Sequence, residues 1–410
     1  MIQEVKLDPI HFSKYKGIIK DGLYDHVIQM AKKLGRVTVI HLNSTASGGG
    51  VSEILSTLVP TLSGLGIDAR RFVLKKHFKF FEITKEIHNF LQGKKGNLNE
   101  KQKEIYLRTN EEIANELRGL RADLWFLHDP QVAATISFHP NLHPSVWRSH
   151  IDTSKPNQAI WDWLLPHIKQ YDRMIFTRRT YIGPGLEYDK CKIFWPAIDP
   201  LNPKNSPIDH FFATEIAKKF EVENTRPIIS QISRFDPWKD PWGVIDAYRI
   251  AKKKINGLQL VLIGFFASDD PEAHSVLIDI KKYAGTDKDI HILSNLDGVG
   301  AIEVNAFQTI STVIIQKSIK EGFGLTVSEG MWKGKPVIGG KTGGIVDQID
   351  DGKNGFLVST SAELAEKIIW LISHPKEAEN MGREGREKAR EHFLMPRLIA
   401  DHLKLYQELI

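Results

Sequence analysis

The chain has 410 residues, long for one hydrophobic core and suited to two domains of ordinary size. Its 41% hydrophobic and 26% charged content is that of a soluble globular protein, and no apolar run approaches the roughly 20 residues of a membrane span. A formal net charge of +5 is modest for this length, so nucleic acid is not an expected partner, and the lone Cys191 excludes an internal disulfide and a multi-cysteine zinc site.

Residues 1–6 carry no signal-peptide hydrophobic region, and the expected compartment is the cytoplasm, with no membrane partner. Residues 24–34 place apolar side chains at helical spacing ahead of Gly35. Residues 36–42 read as the first parallel-type strand. They run into Asn43 and Ser44, then into three glycines, Gly48, Gly49 and Gly50, and a helix from Val51. Strand, glycine-rich turn and helix make a phosphate cradle, because glycine lets backbone N–H groups come close to an anion. No Gly-Lys-Ser/Thr follows, so this is not a Walker A loop, and the glycine spacing is not that of the dinucleotide fingerprint. A simple tight turn is the competing reading, but three consecutive glycines exceed what a turn needs.

Further strands are expected at 69–74, 122–127, 145–149, 173–176 and 192–195, with a helix over 158–164. Such alternation implies a doubly wound parallel sheet, whose ligands sit at the carboxyl ends of the strands. His41, His128 and His150 fall at or near those ends, as do Asp129 and Asp152. One histidine there is an ordinary hydrogen-bonded core residue; three at equivalent ends favour a polar site. Residues 177–185 match no recognisable motif.

Prolines and asparagines at 197–207 read as an interdomain linker. The expected division is 1–205 and 206–389, with a C-terminal helix at about 390–410 packing back on the first domain. The second series begins with a strand at 227–233 and a loop carrying Arg234 and Lys239. Taken alone that pair reads as solvated surface, although an arginine fork and a lysine point charge could neutralise a diphosphate. Strands follow at 258–264, 290–293, 311–316 and 335–340, with a helix at 301–307, a second glycine-rich turn at 341–345, a turn followed by a short strand within 351–358, and helices from 362 onward. Asp287 and Asp289 precede a strand and are read as a turn, with no metal site.

After the 311–316 strand come Glu321, Gly322, Phe323, Gly324 and Leu325, with Glu329 in a helix that starts near Leu325. Both carboxylates can face a ligand docked at the helix N-terminus, or they can be solvated residues favoured by the helix dipole. Two sheet domains offering arginine, lysine, paired glutamates, glycine loops and histidines suit a sugar carrying a diphosphate leaving group. Breaking a glycosidic bond builds positive charge on the sugar while negative charge builds on the departing phosphate.

The Glu321-to-Glu329 spacing, Arg234 with Lys239, and the glycine loop together resemble the retaining two-domain glycosyltransferases of the glycogen-synthase and sucrose-synthase type, the GT-B fold, over nearly the whole chain. Asn43-Ser44-Thr45 before Gly48, His128-Asp129-Pro130-Gln131, the 147–152 segment and Glu329-Gly330-Met331-Trp332 resemble the trehalose glycosyltransferring synthases more narrowly. The resemblance implies a nucleoside-diphosphate glucose (ADP- or UDP-glucose) as donor and free glucose as acceptor, with the anomeric configuration retained and no cofactor or metal required. It implies that Arg234 and Lys239 hold the diphosphate and Glu329 the ribose, while Glu321 with Gly322, Phe323, Gly324 and Leu325 lies at the donor glucose. His150 would stabilise the transition state, and the Gly48–Gly50 loop would close over phosphates and acceptor. Asn43, Ser44, Asp129 and Asp152 are acceptor candidates. Gly330 stands where many relatives have alanine. A trehalose phosphorylase, a retaining transferase with another acceptor, and a non-catalytic sugar-binding protein are the alternatives. The oligomeric state stays open, with a homodimer as one expectation.

Overall fold

A computed structural model of the chain describes every residue except 48, 76 and 267–272. The described residues form two compact units, Met1–Pro196 with Met395–Ile410, and Ala197–Leu394.

The first unit is built on a seven-stranded sheet of β1 (Ile2–Val5), β2 (Thr38–Asn43), β3 (Asp68–Leu74), β4 (Leu124–His128), β5 (Ser145–Arg148), β6 (Arg173–Phe176) and β7 (Cys191–Ile193), in the order β1-β3-β2-β4-β5-β6-β7. All pairings are parallel except β1 with β3. Parallel strands joined by helical crossovers are covered on both faces, and β4 and β5 accordingly expose no residue. One face packs helices Phe78–Leu91, Glu100–Leu117 and Gln158–Ile168 through Phe80, Ile87, Tyr106, Ile113, Trp161 and Leu164. The chain lays β3 on one side of β2 and β4 on the other. That reversal of direction opens a crevice at the carboxyl ends of β2 and β4.

The second unit carries a six-stranded sheet of β8 (Ile228–Arg234), β9 (Gln259–Phe265), β10 (Ile290–Ser294), β11 (Val313–Gln316), β12 (Val337–Gly340) and β13 (Phe356–Val358), ordered β10-β9-β8-β11-β12-β13 and parallel throughout. Its two faces bury separate clusters, one around Val244, Tyr248, Leu260 and Ile368, the other around Ala213, Ile232, Val304 and Phe307. Here the reversal falls between β8 and β11. Arg234 ends β8, and Glu321 follows β11.

The strand positions agree with the expected ones to within about two residues, with one omission. β1 is a four-residue antiparallel edge strand with Gln3 and Glu4 exposed, too short and too polar to show a period. Residues 197–205, expected with the first domain, pack within the second unit. Trp332 Nε1 donates to Asn205 O (3.1 Å), Lys333 Nζ to Lys204 O (2.8 Å) and Asn305 Nδ2 to Pro203 O (2.7 Å). The helix Met395–Leu409 lies in the first unit, where Arg397 Nη2 donates to Trp195 O at 2.7 Å. Among the described residues no helix is long and apolar enough to cross a membrane.

Candidate active site

At the β8–β11 reversal, Glu321 meets Lys239. Lys239 Nζ lies 2.6 Å from Glu321 Oε2, which also accepts from Ser318 Oγ (2.9 Å) and Gln316 Nε2 (3.2 Å). Burial pushes the Glu321 carboxyl up, but the Lys239 charge and these hydrogen bonds overcome it and hold the group below the usual carboxylate range. Glu321 is thus a fixed anion, 10% exposed. Lys239 closes the short turn Pro237–Lys239, whose backbone is set by Gln231 in β8: Gln231 Nε2 donates to Lys239 O (2.9 Å) while Lys317 N donates to Gln231 Oε1 (2.9 Å). One amide therefore fixes both loops that leave the reversal. Asp240, at φ 48°, accepts from Gly243 N to cap the next helix and pairs with Lys317. Arg234 is 40% exposed, with Nη2 3.0 Å from Asp236 Oδ2.

The glycine loop is clamped. Gly324, at φ 85°, precedes the helix Leu325–Trp332, a conformation that glycine adopts without strain. Gln348 Nε2 donates to Phe323 O (2.6 Å), and Gly344 N donates to Gly322 O (3.2 Å). Thr326 Oγ1 ties the helix to β8 through Ile232 O (2.9 Å). A Cβ on Gly330 would lie 2.9 Å from Ile314 Cδ1, so glycine lets this helix press onto β11. Phe323 is buried against Phe393, with ring centroids 5.7 Å apart, and serves packing.

Glu329 sits deeper than a ribose-facing residue need be. It is 2% exposed, with Lys204 Nζ 2.6 Å from Oε1 and Gln308 Nε2 2.8 Å from Oε2. The carboxyl is held below its usual range by Lys204 and Lys333 against the opposing effect of burial. Asp287 and Asp289 are spent on Lys252, and Asp289 also on Arg226.

In the first unit the crevice at β2 and β4 holds the expected histidines in hydrogen-bonded sequence. His41 Nδ1 lies 3.1 Å from His128 Nε2, and His128 Nδ1 lies 3.1 Å from His150 Nε2. Asp129 adopts φ 66°, an uncommon backbone for a non-glycine residue, and its Oδ1 accepts from His150 N at 2.8 Å. Burial pushes its carboxyl up to about 7, against the pull of the His150 N–H and the Arg148 charge. Asn43 is buried and structural: its Oδ1 accepts from Arg71 Nε (3.0 Å) and its Nδ2 donates to Thr45 O (2.6 Å). Arg71, fully buried, also donates to Thr45 O, Ser52 Oγ and Ser56 Oγ, bracing the entrance of the glycine loop. Gly49, at φ 81°, and Gly50 begin the helix Gly50–Gly64, whereas Gly48 lies outside the described residues. Ser44 is partly exposed, and Asp152, also partly exposed, accepts from Ser154 N. The 177–185 segment covers Trp161, whose Nε1 donates to Pro184 O (2.7 Å); a Cβ on Gly183 would lie 2.2 Å from that ring.

Sequence reasoning missed Gln231, Gln316, Gln348, Arg71 and Arg148. Four of these five sit in sheet strands, where a buried polar side chain needs a partner; only Gln316 stands alone among apolar residues, in β11, and so carries a signal that could have found it.

Strand-end cations and carboxylates on two parallel α/β units define a glycosyltransferase of the GT-B fold. Residues 212–388 match the family described as glycosyl transferases group 1, and residues 41–183 match the N-terminal domain of trehalose synthase. A solved glycosyltransferase from Rickettsia africae covers 91% of this chain and 98% of its own at 19% identity, with a TM-score of 0.71. The trehalose synthase of Rubrobacter xylanophilus is 44% identical over 415 residues, covering 100% of both chains. The chain belongs to the trehalose synthase family. A trehalose phosphorylase from Pleurotus pulmonarius is a more distant relative, 27% identical over 84% of this chain and 54% of its own.

Proposed function

We infer that the protein forms trehalose by moving glucose from a nucleoside-diphosphate glucose, ADP- or UDP-glucose, to free glucose with retention of configuration. The carrying observation is the buried Lys239–Glu321 pair at the β8–β11 reversal, in a chain of this family. Lys239 places a cation next to the carboxylate that receives the donor sugar hydroxyls, and Arg234 adds a planar fork for the diphosphate. Loss of one such charge donor costs about 3 kcal/mol in the transition state. Because Arg234 and Lys239 supply this charge, the reaction as proposed requires no metal.

In the reaction the bond from the glucose anomeric carbon to the phosphate oxygen breaks, and a bond to the acceptor hydroxyl oxygen forms on the same face. The hydroxyl proton passes to the departing phosphate, so Glu321 is a sugar ligand and not a nucleophile. His150 donates to the reacting sugar, and Gly49 and Gly50 lend backbone N–H groups to the phosphates. Ser44 and Asp152, partly exposed, remain the acceptor candidates. Glu329 serves the ribose when Lys204 is displaced.

The phosphorylase reading rests on the distant relative and on Glu329 being already paired. Incubation with glucose and either nucleotide-glucose or α-glucose 1-phosphate separates the two. Trehalose from the nucleotide donor supports the transferase; trehalose from the sugar phosphate alone overturns it.

A further inference from the structure

The three histidines of the first-unit crevice are the near end of a longer chain. His41 Nε2 lies 3.4 Å from Tyr406 Oη, Tyr406 Oη lies 3.4 Å from His402 Nδ1, and His402 Nε2 lies 3.2 Å from Arg148 Nη1. His402 and Tyr406 both come from the helix Met395–Leu409. His41, His128, His402, Tyr406 and Arg148 are each at most 2% exposed, and Phe126 packs against His41, His402 and Tyr406, with centroids 4.8, 5.2 and 5.6 Å away. Only His150, at the strand-end side, is partly exposed.

Direction along this chain follows from donor chemistry. A guanidinium only donates, so His402 Nε2 accepts and the single proton of that ring lies on Nδ1. That N–H donates to Tyr406 Oη, whose hydroxyl proton then donates to His41 Nε2. His41 carries its proton on Nδ1 and donates to His128 Nε2, and His128 likewise donates from Nδ1 to His150 Nε2. His150 is left with its proton on Nδ1, a nitrogen with no partner among the described residues.

We propose that Arg148, His402, Tyr406, His41 and His128 form one directional hydrogen-bonded chain that fixes His150 as its Nδ1–H tautomer, making it a hydrogen-bond donor to a sugar oxygen. The five are positioning residues, and the inference rests on the assignment of His150 to the reacting sugar. The chain needs every ring neutral, since an imidazolium donates from both nitrogens and would break the sequence. Burial, followed by the Arg148 charge, supplies that condition for His41, held at about 3, and for His150, held well below its ordinary value. On His402 burial acts first and the Arg148 charge next; on His128 burial is followed by His41 and His150 and then by Arg148. Arg148 thereby acts twice, as the terminal donor and as the positive charge that discourages protonation. A His150 held in this form has no lone pair facing the sugar, so it cannot be the base that removes the acceptor proton.

Long-range proton–nitrogen NMR on the full chain labelled with 15N-histidine reads the tautomer directly, with the His150 signal assigned by its loss in His150→Gln. The wild type is expected to show His150 protonated at Nδ1 alone. In Tyr406→Phe, which keeps the ring and removes the link, His150 becomes a tautomer mixture. There kcat falls about tenfold with unchanged KM for both substrates, as when an imidazole loses an orienting partner. Wild-type His150 protonated at Nε2 overturns the proposal, as does a Tyr406→Phe protein with tautomer and kcat unaltered. If Tyr406→Phe does not fold, the wild-type spectrum still decides. The spectrum needs no turnover, so absence of glucosyl transfer would refute the proposed reaction and leave the chain standing.

Discussion

Two aspartates at the carboxyl ends of sheet strands, Asp129 after β4 and Asp240 after β8, hold left-handed backbone conformations at φ 66° and 48°. Strain of this kind persists where surrounding bonds over-determine it: Asp129 is held by the His150 N–H, and Asp240 by Lys317 and Gly243 N. The Asp129 carboxyl, raised by burial to about 7 from its ordinary 3.8, binds its proton more tightly in the folded state than in the unfolded one. The stability this brings is complete below the unfolded value and is lost as pH rises through about 7. Asp129→Asn keeps the oxygen that accepts from His150 and removes the charge. Urea denaturation should therefore show the variant gaining on the wild type by about 2 kcal/mol between pH 5 and pH 8, a figure discounted for the partial exposure of Asp129. Parallel pH profiles for the two proteins would refute the assignment. At this scale the sequence showed where groups of side chains would meet within each unit, because strand-end position fixes where a side chain emerges: Glu321 and Lys239 pair in the second unit, and His150 and Asp129 are bonded in the first. Asn43 and Glu329 were read as ligand-facing, yet they are bonded to Arg71 and to Lys204. Those partners lie 28 and 125 residues away in sequence and leave no local trace.

The helix Leu325–Trp332 and the loop before it work as one element. The turn containing Gly344 packs directly on the loop, where a Cβ at residue 344 would lie 2.7 Å from Phe323 Cα and 2.8 Å from Gly322 O. These are backbone atoms, unable to swing aside as a side-chain end can. Gly344→Ala should cost about 1–3 kcal/mol in stability as overpacking and displace the Gly322–Gly324 loop, weakening nucleotide-sugar binding in a calorimetric titration. A variant with unaltered stability and donor affinity would show that the contact is not tight. Both glycine turns were visible as strand-glycine-helix patterns, but their contact was not, since 20 residues of strand and helix intervene. The same limit applied to β1, whose four residues pair only with the distant β3.

For the whole molecule, parallel alternation in the sequence was enough to specify two doubly wound units, because buried parallel strands and amphipathic helices leave strong periodic signals. The C-terminal helix carries a core-facing stripe that any sheet face could satisfy. Only the fold shows that its His402 and Tyr406 continue the histidine chain of the first unit. For the entire protein the proposed reaction is the passage of glucose from a nucleotide to free glucose with its configuration kept. Proton NMR of a reaction containing UDP- or ADP-glucose labelled with 13C at the anomeric carbon, and unlabelled glucose, follows that carbon directly. The label is expected to leave the α-linked nucleotide sugar and appear in α,α-trehalose, one labelled and one unlabelled glucose per molecule. Label appearing in a β-linked product, or remaining in both nucleotide sugars while a parallel reaction of α-glucose 1-phosphate with glucose yields trehalose, would contradict it.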